Sequence, residues 1–94
     1  MKIIVEWDPR KEKRNRRKHK VSFEEAATVF NDTLSITIAD PLHSKGEERF
    51  IIIGESIRRR LLIVVHTDEG KKIRIISART ATAHERRKYE AGNY

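Results

Sequence analysis

Residues 61–67 read LLIVVHT, with five consecutive branched apolar side chains. Successive side chains of a strand point to opposite faces, so this run is apolar on both and belongs at the centre of a sheet. Its neighbours supply the rest of that sheet. Leu34, Ile36 and Ile38 alternate with Ser35 and Thr37, the pattern of a half-buried strand. Residues 48–56 (ERFIIIGES) and 71–78 (KKIRIISA) read as two more strands. The connections at 57–60 and 68–70 are short enough for antiparallel hairpins. Residues 40–46 form a loop broken by Pro41 and Gly46.

Helices flank this core. Residues 2–6 (KIIVE) make a short strand, after which Asp8 can cap a helix that has Pro9 at its favoured first position. That helix, about 9–19, has almost no apolar stripe, so Trp7, Val21 and the aliphatic stems of its bases must attach it. Ser22-Phe23-Glu24-Glu25 has the spacing of a capping box, in which Ser22 and Glu25 satisfy each other's backbone N–H groups. Phe23, Ala26, Ala27 and Phe30 then fall on one helical stripe, closed by Asn31 and Asp32. Thr82 to Glu85 is a second capping box, for a short helix to about residue 90 with Gly92 at its stop. The chain therefore reads as one α+β domain over 1–94. Four antiparallel strands, or five if 2–6 join, carry N-terminal helices and a short C-terminal helix gathered on one face.

Charge is segregated. The net charge is +7, and residues 9–20 (PRKEKRNRRKHK) hold eight of the 21 Lys and Arg and one of the 14 acids. The remainder is neutral overall. Such a stripe, with Arg10, Lys11, Arg14, Arg17, Lys18 and His19, attracts a phosphate backbone or an acidic protein. The competing reading is a solvated helix that aids solubility. Cysteine is absent, which excludes disulfides and thiolate metal sites and fits a reducing cytosol. The first ten residues (MKIIVEWDPR) lack an export signal, and no run approaches the roughly 20 apolar residues needed to span a bilayer. The expected location is the cytoplasm.

A second set of polar residues lies along the strands: Glu48, Arg49, His66, Arg74 and Arg79. His66 ends an apolar strand, which suggests an imidazole at the sheet surface. Arginines at strand ends can grip a phosphate through two parallel N–H bonds. They can equally form surface salt bridges with Glu47, Glu48 or Glu85. His19, His43, His66 and His84 have no metal-ligand spacing, and the four glycines form no phosphate loop, so neither metal nor cofactor is expected. Trp7 and Tyr89 read as packing residues, with the Tyr89 hydroxyl available for chemistry.

The ordered set EWDP, Asn15, KHKVSFEEA, Phe30, Asp40, EERF, Gly54, LLIVVHT, RIISART and Tyr89 resembles the BrnT family over about residues 6–89. The resemblance implies a compact RelE-like fold and a ribonuclease toxin of a type II toxin–antitoxin system. It further implies a ribbon-helix-helix antitoxin (BrnA-like), two toxins with two antitoxins, and operator DNA bound through the antitoxin. Matched to the motifs, Glu48, Arg49, Arg74, Arg79 and Tyr89 are the foremost site residues, with His66, Lys18 and His19 behind them. Lys20 stands where the family commonly has Gly, a residue suited to a left-handed turn.

Metal-independent RNA cleavage needs a base for the 2′-hydroxyl, cations for the phosphorane and an acid for the departing oxygen. The arginines suit the second task, Glu48 or His66 the first, and Tyr89 or His66 the third. Two rival readings are a non-catalytic nucleic-acid-binding module and a basic helix that serves chiefly to dock the antitoxin.

Overall fold

The structure is a computed structural model that describes residues 3–40 and 47–92. The 40–46 loop of the sequence reading, including His43, lies outside the described residues apart from Asp40. Five strands form one sheet in the order β1-β5-β4-β3-β2: β1 Ile4–Trp7, β2 Ile36–Ala39, β3 Arg49–Glu55, β4 Leu61–Asp68 and β5 Lys72–Thr80. The doubly apolar run sits at the centre, as its two-faced pattern requires. β2 to β5 pair antiparallel, whereas β1 joins β5 in parallel. The sheet is thus mixed, with β1 lying beside the strand farthest from it in the chain.

Helix α1 spans Pro9–His19 and is capped by Asp8, whose Oδ1 accepts from the Arg10 N–H at 2.8 Å. Trp7 and Val21 pack into the core as expected, and a buried amide adds a further attachment. Asn15 is buried, and its carboxamide donates to Ala78 O at 2.8 Å and Val21 O at 3.1 Å. The same group accepts from the Ala78 N–H at 3.0 Å. One side chain therefore continues the β5 ladder beyond the end of β1, and the bases around it are left exposed. Lys20 ends the helix with φ 59° and ψ 32°, in the left-handed turn that a glycine would suit.

Helix α2 (Phe23–Ala27) tightens into a 3₁₀ turn over Thr28–Asn31. Phe23, Ala26 and Val29 pack on Ile52, Leu62, Val64, Ile75 and Ala78, and Trp7 meets Phe23 edge to face at 6.1 Å. Gly54 allows the turn to lie close, since a Cβ there would stand 3.1 Å from Ser35 Cβ and 3.3 Å from Val29 O. Only half of the first capping box forms: Ser22 accepts from the Glu25 N–H at 3.1 Å. Glu25 instead turns inward, accepting from Ser56 Oγ at 2.7 Å and from Arg60 Nε at 2.9 Å and its second guanidinium nitrogen. These partners hold the buried carboxyl below the usual range, the Arg60 hydrogen bond most of all. Removing one member of such a pair costs about 3 kcal/mol.

β2 begins at Ile36, and Leu34 is 73% exposed rather than part of a half-buried strand. Helix α3 (Ala83–Glu90) has the full Thr82–Glu85 capping box, and Gly92 beyond it has φ 67°. The third helix corrects the expectation that all helices share one face. Its Tyr89 packs with Ile53, Leu61 and Ile63, a second cluster on the side opposite Ile52, Leu62 and Val64. No helix among the described residues is long and apolar enough to cross a membrane.

Candidate functional site: the arginine face of the sheet

Arg74 and Arg79 are five residues apart, an odd spacing that would put them on opposite faces of a regular strand. A β-bulge reverses this. Val65 opposes Ser77 and His66 opposes Ile75, so Ile76 has no partner. Arg74 then lies across from Thr67 and Arg79 across from Ile63, residues four apart on β4 and so on one face. Arg49 also opposes Thr67 from the other side. All three arginines therefore share the face that carries α3 at one end.

They form two groups separated by about 13 Å, four strand residues. At one end, Glu47 bridges Arg49 and Arg74, with Arg49 Nε at 3.5 Å from Oε1 and an Arg74 guanidinium nitrogen on Oε2. These cations, Arg74 first, hold the Glu47 carboxyl below its ordinary pKa. On β1, Glu6 lies in register beside Arg74 and forms an ion pair with Lys72 at 3.8 Å. At the other end, Arg79 grips Glu85 with two parallel bonds of 2.8 Å each. Glu85 is pulled down to about 2, chiefly by Arg79. Half-buried Ile38, Ile51, Val65 and Ser77 lie in register between the groups. The result is a mostly apolar floor with cations at both ends, each cation held ready by a carboxylate.

The remaining sequence candidates distribute unevenly. Glu48 is exposed beside Arg49. Tyr89 is half-buried and donates its hydroxyl to Asp32 Oδ2 at 2.6 Å; burial, then Asp32, raises it to about 12. His66 corrects the expectation of a surface imidazole. It is 3% exposed on the opposite face, with Phe30 edge-on at 4.9 Å and Phe50 stacked at 6.0 Å. Its Nδ1 lies 3.1 Å from Thr67 O, Nε2 has no hydrogen-bond partner among the described residues, and burial lowers its pKa, so it is neutral at pH 7. Arg10, Lys11, Arg14, Arg17 and Lys18 are exposed on α1, and His19 is half-buried at its end. Among the described residues no group of three or more His, Asp or Glu side chains is placed to hold a metal ion.

Two residues escaped sequence reasoning. Asn15 entered only through the family pattern, although a lone amide amid bases was its signal. Glu47 read only as a possible salt-bridge partner, and nothing in the sequence shows that it serves two arginines from different strands.

The profile described as "Ribonuclease toxin, BrnT, of type II toxin-antitoxin system" matches residues 7–85. The chain belongs to the BrnT family. The crystal structure of the Brucella abortus ribonuclease toxin BrnT is similar to it with a TM-score of 0.59 and 27% identity. That match covers 87% of this chain and 97% of the Brucella chain, so the BrnT fold extends over nearly all of both. A comparison with curated proteins returned no match. As a type II toxin family, BrnT implies an antitoxin partner. The matched segment contains both arginine groups, the bulge between them and Glu85.

Proposed function

We propose that this BrnT-family chain cleaves RNA endonucleolytically without a metal ion, thereby stopping translation and growth until a cognate antitoxin binds it. The observation that carries the reading is the shared face of Arg49, Arg74 and Arg79, created by the bulge at Ile76. Guanidinium groups stay charged at any working pH and bind phosphate oxygens in pairs. The reaction forms a bond from the 2′-oxygen to phosphorus and breaks the bond from phosphorus to the 5′-oxygen. Arg49 and Arg74 hold the extra negative charge of the phosphorane.

Of the three proton-transfer candidates, Glu48 is the exposed one and neighbours Arg49 in the chain, and we assign it the 2′-hydroxyl proton. His66 sits buried on the far face and Tyr89 about 13 Å away at the Arg79 end. Water then protonates the departing oxygen, and Arg79 grips a flanking phosphate. Tyr89 ties α3 to Asp32 beside that contact. The partners in this scheme are an RNA substrate and a ribbon-helix-helix, BrnA-like antitoxin in a two-to-two complex that binds operator DNA. The exposed cations of α1 extend the binding surface.

The test is cleavage of RNA by purified protein in excess chelator. Arg74→Ala should lower kcat at least about tenfold, the usual scale for a transition-state contact. Arg79→Ala should act mainly on KM, as loss of a uniform binding contact does. Wild-type kinetics in both folded variants would overturn the assignment. Arg14→Glu with Arg17→Glu separates the roles of α1: lost antitoxin binding with intact cleavage identifies a docking helix, and weakened cleavage an RNA contact.

A further inference from the structure

We infer that Glu47 is a tethered stand-in for an RNA phosphodiester, occupying a phosphate subsite between Arg49 and Arg74 that substrate enters by displacing it. The inference rests on the ribonuclease reading for the identity of the anion. Its geometric basis is independent. Arg49 and Arg74 project from β3 and β5 in register with Thr67 of the strand between them. Their Cα atoms are separated by two strand spacings, about 10 Å. An anion placed between them meets both guanidinium groups, and the Glu47 carboxylate does so with one oxygen on each.

A phosphodiester offers the same features: unit negative charge and two non-bridging oxygens. Like a carboxylate, it matches the guanidinium fork. Glu47 comes from the segment just before β3, outside the strands that fix its two partners. Its side chain is 37% exposed and those of Arg49 and Arg74 are 30% and 40% exposed. Solvent therefore reaches the bridge, and surface ion pairs of this kind are each worth only a factor of about one to five in an equilibrium constant. The carboxylate keeps the arginines extended toward one point in the absence of substrate, so less side-chain freedom is lost when phosphate arrives. Glu6, in register beside Arg74, is engaged by Lys72 and forms the edge of the subsite.

The experiment compares wild type with Glu47→Gln, which keeps the shape and removes the charge. Two probes are used: inorganic phosphate, followed through arginine side-chain NMR signals, and a 2′-O-methyl oligonucleotide that cannot be cleaved, followed by fluorescence anisotropy. Glu47→Gln should bind both about three- to tenfold more tightly, as expected from two displaced surface pairs. Adding Arg74→Gln should abolish the gain. Unchanged or weaker binding of both probes by folded Glu47→Gln overturns the proposal, as does a gain that survives Arg74→Gln. A wild type that cuts no RNA, while Glu47→Gln still gains phosphate through Arg74, supports the subsite and overturns the ribonuclease scheme. RNA cleavage that depends on Arg74, with no gain from Glu47→Gln, overturns the subsite alone.

Discussion

Replacing Asn15 tests whether one amide holds the basic helix on the sheet. Its side chain makes three hydrogen bonds to buried backbone groups, with Val21 O, Ala78 O and the Ala78 N–H. Each is worth about 1 kcal/mol, and Asn15→Ala leaves all three backbone groups without a partner. Alanine is the better helix former by up to about 0.7 kcal/mol, which offsets part of the loss. The net destabilisation is about 2–3 kcal/mol, a fall in Tm of roughly 10–20 °C for a domain of this size. Urea melts followed by circular dichroism at pH 7 measure it. Asn15→Asp sharpens the test, because it keeps the acceptor for the Ala78 N–H but turns an anionic oxygen toward two carbonyls. That carboxyl is buried, so its folded pKa lies above its unfolded value of about 3.9. Its protonated form can donate to Ala78 O, so the variant regains stability relative to wild type below the unfolded pKa and loses it as pH rises through the folded pKa. An Asn15→Ala protein within about 0.5 kcal/mol of wild type would refute the attachment, since ordinary surface changes stay within that margin. An Asn15→Asp deficit that does not shrink in acid would refute the role of the two carbonyls.

Two further outcomes follow from particular conformations and charges. Lys20→Gly should stabilise the protein by about 0.5–1 kcal/mol in the same melts, because the left-handed turn strains a residue with a Cβ and the added freedom of the unfolded chain cancels only part of that relief. A carboxyl titration by NMR should find Glu85 ionising near 2, and Arg79→Ala should move it upward toward 4.5. Glu85 is depressed in the folded state, so the stability it contributes is complete above about 4.5 and disappears as pH falls toward about 2.

The local elements were largely legible in the sequence. Caps at Asp8, Ser22 and Thr82, the alternation of apolar residues and the doubly apolar run place the helices, strands and the centre of the sheet. The left-handed position at Lys20 was legible through the family pattern, and the family itself through KHKVSFEEA and RIISART. Arg49, Arg74 and Arg79 stood out as candidates, since arginine in an apolar strand has no local reason to be there.

Local patterns carry no information about which segments meet, and the remainder depended on that. Glu25 has the spacing of a capping residue, yet Arg60 and Ser56 offer it a stronger, buried alternative from another hairpin. His66 continues an apolar strand at its end, and only the packing of Phe30 and Phe50 decides that the imidazole is enclosed. The parallel pairing of β1 links residues far apart in the chain. The bulge at Ile76 is a property of two paired strands, and it alone puts Arg74 on the face of Arg79. Period and capping are encoded over a few residues, so the sequence by itself determined the elements and the chemistry available. Register, burial and the sharing of a carboxylate arise between distant segments, so the tertiary structure alone decided which of those groups act together.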